Sequence, residues 1–506
     1  MLQYVFKTVV LVSVLALFQA HAASLQAEKK TATGSDSQLA HRIFAGEQIT
    51  IAQVSKRTPI LEAYVQSLDP EIRPEAVLDD AYFLGKLGLN VDSPNIARFQ
   101  ALAFGASPQS RRIRVNTGDH WALYPDGYVD MLFVDLGEFD EYHYALTYSG
   151  RDRLADRDCI RVAVLPLDAQ SSGRFTGDIW VDETSFRIVR IAGSFSPKRL
   201  GTFSKYFNPG GISRIGLYLH FESWRQQVAP GVWLPSYTYF DEQRMWNTGR
   251  LTTSFHLRGH IWLWNYQAEE YIARVNSSRN PLAELEASGQ LASPGDIERA
   301  LDQITRQIER VNGLEGPVIT CRVLLTTPLE IFSIDKTVII SRGLLNLVPD
   351  ESTLAGLLAL EIAHITLGHS RAYSSVSRSL FDPNRNTDFP GFGIRRTVEE
   401  EKSAGELMRS LLKGTAYAGS ADQVESFLRG VARLSSSVPH LTSGLGRFNQ
   451  VSFRAKQLRV SLQLRGDYGI NSWESQVVTT HKTPHSESST AIIKDERFSA
   501  AGAPDQ

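Results

Sequence analysis

The sequence predicts an α+β protein, with an antiparallel, strand-rich N-terminal part and a mainly helical C-terminal part. Three observations lead there. Between residues 43 and 270 several stretches alternate apolar and polar residues with period two. A segment bearing Ser, Ala, Gly and Pro follows at 271–296. Beyond it, apolar residues recur at helical spacing. The chain has 506 residues, too many for one ordinary core, so two or three domains are expected. A net charge of -2 supplies no basic footprint and argues against a nucleic-acid partner.

At the N-terminus, Lys7 precedes the apolar run Thr8 to Phe18, and Ala20-His21-Ala22 follows as a small-x-small cleavage pattern. Residues 1–22 therefore read as a signal peptide, and the mature protein is expected to be exported, either periplasmic or secreted. No cysteine follows the run, so a lipoprotein anchor is not expected. No later segment reaches about 18 apolar residues, so no transmembrane anchor is expected either. Residues 23–42 are rich in Ala, Ser, Lys, Thr and Gln without period and read as a disordered leader.

The strand-rich domain spans 43–270. Asp178-Ile179-Trp180-Val181, the polar turn Asp182-Glu183-Thr184-Ser185, and Phe186 to Ile191 predict a hairpin with one buried face. Further strands are expected at Gly216–Phe221, Val232–Phe240 and Leu251–Trp264, together a large curved antiparallel sheet. Residues 271–296 read as a linker. Asp296 is a candidate N-cap for a helix on which Ile297, Leu301, Ile304, Ile308 and Val311 form a stripe. That helix opens a second domain at 297–440. Residues 441–506 form a C-terminal extension, expected to be largely disordered after about 470. Cys159 and Cys321 fall in different domains and either pair or remain two buried thiols.

Chemistry concentrates at Leu358-Ala359-Leu360-Glu361-Ile362-Ala363-His364, which continues to Gly368-His369. A zinc-protease helix carries His-Glu-x-x-His: two histidines four apart share one helical face and bind the metal. The glutamate acts as general base on the metal-bound water. Glu361 and His364 stand in that register, but Leu360 fills the place of the first histidine and has no lone pair to offer. Asp350 can cap the helix, Glu351 suits the positive end of its dipole, and Gly368 can end it.

With Phe332-Ser333-Ile334, Thr337 to Leu345 and Pro349 to Ala355 in front of it, this region resembles HtpX/BepA-like zinc metallopeptidases (metallopeptidase family forty-eight). The resemblance implies a zincin-like fold, zinc as cofactor, and a third ligand, a glutamate, on a later helix in a Glu-x-x-x-Asp pattern. The best register places Glu399 at the ligand and Ser403 where the aspartate is expected, with Glu400 and Glu401 as alternative ligands. Glu361 would be the catalytic base and His364 a ligand. His369 would either substitute for the lost histidine or lie behind the ligands. With one ligand lost, zinc binding is expected to be weak or absent.

The hairpin at Ile179-Trp180-Val181 and the later Pro230-Gly231-Val232-Trp233-Leu234-Pro235 are similar to the half-open barrel of LolA/LolB-type lipoprotein carriers. That similarity implies a half-barrel-like sheet able to hold an acyl chain, a lipoprotein or a peptide. Three functions remain open at this point. One is an exported zinc metalloendopeptidase of the cell envelope acting on protein or peptide substrates, with impaired or lost catalysis. A second is a pseudopeptidase that binds unfolded or lipidated envelope proteins. The third is a structural protein of two linked domains.

Overall fold

A computed structural model describes residues 34–69, 77–89, 97–101, 113–115, 121–123, 129–154, 157–168, 174–195, 213–247, 252–266, 281–287, 289–314, 316, 318–369, 396–434 and 438–442. The expected signal peptide, most of the linker before Pro281 and the C-terminal extension after Thr442 lie outside them.

Helix α1 (Gly34–Ser55) comes first. It begins inside the segment expected to be a disordered leader, so helical structure starts earlier than composition implied. Strands β1 (Ile60–Leu68), β2 (Val77–Leu89) and β3 (Ala97–Ala101) follow, with a separate short pair, β4 (Ile113–Val115) and β5 (Trp121–Leu123). Then come β6 (Tyr144–Leu154), β7 (Arg157–Pro166), β8 (Phe175–Asp182), β9 (Ile188–Phe195), β10 (Ser213–Ala229), β11 (Val232–Asn247) and β12 (Thr252–Trp264). Ten strands make one sheet in the order β3-β2-β1-β12-β11-β10-β9-β8-β7-β6, with all neighbours antiparallel. The predicted hairpin is β8–β9, with Ile179 opposite Ile191 and Phe186 at φ 56° in its turn.

Strand alternation sends two different sets of side chains to the two faces. Leu61, Ala63 and Val65 of β1, Phe221 of β10 and Ile261 and Leu263 of β12 share a core with Ile43, Phe44, Ile51 and Val54 of α1. Val129, Met131, Leu132, Phe133 and Val134 join the same core. This face of the sheet is thus packed by the chain's own apolar residues. Glu62, Tyr64, Tyr82, Tyr237, His260 and Trp262 belong to the opposite face, which meets the C-terminal lobe.

That lobe contains α2 (Pro281–Ala287), α3 (Asp296–Val311), β13 (Thr320–Leu324), β14 (Ile331–Ile334), β15 (Thr337–Ser341), α4 (Arg342–Leu347), α5 (Glu351–Thr366), α6 (Val398–Leu412), α7 (Ser420–Leu434) and α8 (Pro439–Thr442). Helix α2 lies within the expected linker. On α3 the cap is Gly295, not Asp296: the Gly295 amide donates to Glu298 Oε2 at 3.0 Å, and Asp296 is the first helical residue. A three-stranded sheet, β13-β15-β14, pairs β13 with β15 parallel and β14 with β15 antiparallel. Cys159 and Cys321 are both free and buried, and burial pushes each thiol up to about 12.

Two buried carboxylates on neighbouring strands join the lobes. Glu62 of β1 accepts four hydrogen bonds: Thr327 N at 2.5 Å, Thr327 Oγ1 at 2.9 Å, Tyr82 Oη at 2.8 Å and Arg342 Nη2 at 2.6 Å. The Arg342 guanidinium also lies 3.9 Å from the centroid of the Trp262 ring. Asp80 of β2 accepts from the backbone amides of His440 and Leu441 at 3.0 and 2.9 Å and from Tyr64 Oη at 3.0 Å.

His260 on β12 completes the first cluster, with Nε2 2.9 Å from Thr327 Oγ1. The threonine hydroxyl has one proton and gives it to Glu62, so it accepts from His260, which places a proton on Nε2. Burial, followed by the charge of Arg342, lowers the His260 pKa to about 3. Above about pH 6.5 the imidazole is neutral in both folded and unfolded chains and contributes no pH dependence. Below that value only the unfolded chain takes up the proton, so stability falls by about 1.4 kcal/mol per pH unit. His260→Gln keeps an N–H donor and removes the titration. Denaturation curves at pH 7 and pH 5 are expected to differ by about 2 kcal/mol less in this variant than in the parent; an unchanged difference would reject a neutral His260.

Candidate metallopeptidase-type site

The site is built on α5, whose start and end follow the sequence closely. Asp350 Oδ1 accepts from Thr353 N at 2.7 Å, as an N-cap should. Glu351 takes a hydrogen bond from Tyr417 Oη at 2.6 Å. Gly368 at φ 73° supplies the left-handed residue that ends the helix. Residues Thr353 to His364 are buried without interruption, so this helix is the centre of the C-terminal core and meets solvent only at its two ends.

Leu360 belongs to that core and offers no donor. Glu361 is equally buried, but its carboxylate is occupied. Arg396 reaches it from just before α6, with Nη1 2.9 Å from Oε1 and Nη2 2.8 Å from Oε2. Nη2 also lies 3.5 Å from Ser333 Oγ on β14. Burial pushes Glu361 up, yet the charge and hydrogen bonds of Arg396, with His364 and Ser333, outweigh it and hold the carboxyl below its usual range. A carboxylate clamped at both oxygens by a guanidinium is a weak proton acceptor.

His364 is wholly buried. Its Nδ1 lies 3.0 Å from His369 Nδ1, so the bend at Gly368 brings the second histidine onto the first. Burial, then the nearby His364 and Arg396, lower the His369 pKa against the pull of Glu400 and Glu401. One of the two imidazoles donates and the other accepts, which fixes the orientation of His364. His364 Nε2 faces Glu401, whose Oε2 is 3.5 Å away.

Of the three glutamates at the start of α6, the structure therefore brings Glu401 to His364. Glu399 is exposed. Glu400 closes a capping box, accepting from Thr397 N at 2.7 Å while its own amide donates to Thr397 Oγ1 at 3.1 Å. Thr397 sets the phase of the helix, and two residues turn the side chain by about 200°, so Glu399 and Glu401 point apart. In this register the position four beyond the glutamate is Gly405, which has no side chain. Ser403, expected there, turns its hydroxyl to the carbonyls of Glu399 and Glu400 at 2.9 and 3.1 Å.

Among the described residues no group of three or more His, Cys, Asp or Glu side chains is arranged to hold a metal ion. The donor set explains why zinc does not fit. His364 Nε2 and Glu401 are two donors where a catalytic site uses three, Leu360 supplies none, and a fixed positive charge sits on Glu361. Arg396 is the site residue that sequence reasoning missed. Its one signal was a basic pair, Arg395-Arg396, directly before an acidic helix start, and 35 residues separate it from its partner.

A strand pair, a capped buried helix bearing Glu361 and His364, and a later helix carrying Glu401 form one side-chain cluster on a lobe attached to a large antiparallel sheet. Residues 331–383 match the model of Peptidase family M48. No curated protein matches the chain. Among solved structures, a LolA superfamily protein from Nitrosomonas europaea is 8% identical, covers 46% of this chain and 98% of its own, and has a TM-score of 0.20. A DUF1329 family protein from Desulfovibrio piger is 12% identical with 45% and 93% covered and a TM-score of 0.20. The Pseudomonas aeruginosa MucA/MucB complex is 12% identical with 45% and 95% covered and a TM-score of 0.15. Among the described residues no helix is long and apolar enough to cross a membrane.

Proposed function

We propose that the protein is exported and uses a metallopeptidase-like lobe to bind polypeptide of the cell envelope without hydrolysing it. The Arg396 clamp on Glu361 carries this reading. Hydrolysis of a peptide bond in such a site needs a polarising cation and a free base beside it. Here the base is clamped, and the residue before it is a leucine. Export is supported by the Lys7-led apolar run and the Ala20-His21-Ala22 cleavage pattern. Polypeptide is favoured as the ligand because residues 331–383, which carry Ser333, Glu361 and His364, match the model of Peptidase family M48. An acyl or lipoprotein ligand in the large sheet would first have to displace α1, whose apolar residues fill that face.

The test uses mature protein with fluorescently labelled, unfolded casein, in added zinc and in chelator. Saturable binding with no cleavage in either condition is expected. Cleavage that disappears in Glu361→Gln would sink the proposal and revive the zinc endopeptidase.

A further inference from the structure

The geometry points to Arg396 as a built-in cation that takes the place of the metal in this site. A buried carboxylate needs a counter-charge, because burial without one is among the costliest arrangements a fold can hold. In a metal site of this type the divalent ion supplies positive charge beside the base and draws histidine and glutamate together. In this chain the guanidinium does so from within: it bonds both oxygens of Glu361 and reaches Ser333 on β14. The pair is almost free of solvent, with side-chain exposures of 9% and 2%. Its planar fork matches the carboxylate, which a lysine could not do.

Beside it His364 Nε2 is buried without a hydrogen bond, and Glu401 Oε2 lies 3.5 Å away. His364 is oriented by His369 and faces Glu401. Leu360 and Arg396 thus bear on the same site in the same direction. The leucine removes a donor. The arginine supplies the positive charge whose loss would otherwise leave Glu361 uncompensated, and it repels any divalent ion at short range.

This inference shares the Arg396–Glu361 pair with the non-hydrolytic reading, but it is read out by metal uptake and stability, not by cleavage. With Arg396 in place, Leu360→His by itself should not restore a metal site. Zinc uptake is measured on the full mature chain by titration against a chromophoric chelator and by elemental analysis. The four proteins are the parent, Leu360→His, Arg396→Gln and the double variant, each checked for folding by circular dichroism.

Only the double variant is expected to hold about one equivalent, with affinity about tenfold or more above Leu360→His. Leu360→His binding as tightly as the double variant, zinc uptake by the parent, or a folded double variant that takes up none would each overturn the assignment. A second measurement covers the chance that the histidine variants misfold. Arg396→Gln should lower the melting temperature, and Glu361→Gln in the same chain should recover most of the loss, because the uncompensated carboxylate is then gone. No loss in Arg396→Gln, or no recovery in the pair, would also overturn it. Casein cleavage by the parent that resists chelator would sink the non-hydrolytic reading and leave this one standing.

Discussion

Arg342→Ala is expected to destabilise the folded protein by about 3–5 kcal/mol, the cost of removing one partner from a buried ion pair. Arg342 opens α4 directly after β15, so it belongs to the strand-and-turn unit in front of the site helix. Its partner Glu62 lies on the large sheet, 280 residues earlier in the chain. Burial pushes Glu62 up in pKa against the lowering effects of Arg342, the Thr327 amide and hydroxyl, and Tyr82. The carboxylate therefore already bears a desolvation cost that its partners offset only in part. Without Arg342 it must either stay charged and unpaired or take up a proton.

The expected signature is one cooperative transition at lower denaturant, seen both by tryptophan fluorescence and by circular dichroism. The tryptophans on the large sheet and the helices of the second lobe report the two sides of the junction. Glu62→Gln with Arg342→Met removes both charges and keeps much of the volume, so the double variant should lose less than the two single changes added together. A single Arg342→Ala variant within about 0.5 kcal/mol of the parent would mean that the lobes are joined elsewhere. Two separate transitions in the parent would say the same.

The elements that sequence made legible are those whose signals are local. The β8–β9 hairpin was readable because a polar turn separates two alternating runs. Helix α5 was readable because Asp350, the apolar stripe and Gly368 mark its start, body and end. The Glu-x-x-His register and the missing histidine were plain for the same reason. What stayed hidden depends on groups far apart in sequence. Arg396 finds Glu361 across a 35-residue separation, and Glu62 finds Arg342 and Thr327 across the whole large sheet. The choice among Glu399, Glu400 and Glu401 turned on which of them Thr397 would recruit into a capping box. That is a contest between adjacent residues of the same type, and spacing alone does not settle it.

Helix α1 was hidden by a single residue. Leu39, Ile43, Ile51 and Val54 stand at helical spacing and pack on the sheet, but the stripe is broken at its middle by Glu47. The structure shows why a charge is tolerated there. Glu47 Oε2 lies 2.6 Å from Arg225 Nη1 and Oε1 lies 2.7 Å from Nη2, with neither side chain exposed. The Val134 amide also donates to Oε1 at 3.2 Å. One carboxylate thus ties the helix to β10 and to the segment beside it.

Glu47→Ala strands a buried guanidinium and a buried amide. The expected loss is about 3–5 kcal/mol, with Glu47→Gln milder because it still accepts hydrogen bonds. The same substitution tests what the large sheet is for. If α1 is a permanent part of the core, loosening it should unfold the sheet with the rest of the chain, and an apolar dye should bind only as the protein melts. If the helix is a plug over an acyl-binding face, Glu47→Ala should bind the dye or a fatty acid saturably well below its melting temperature, while the sheet keeps its circular dichroism. Ile43, Phe44, Ile51 and Val54 share one buried core with Phe133 and Leu61, which favours the first outcome, since close-packed cores rarely open without unfolding.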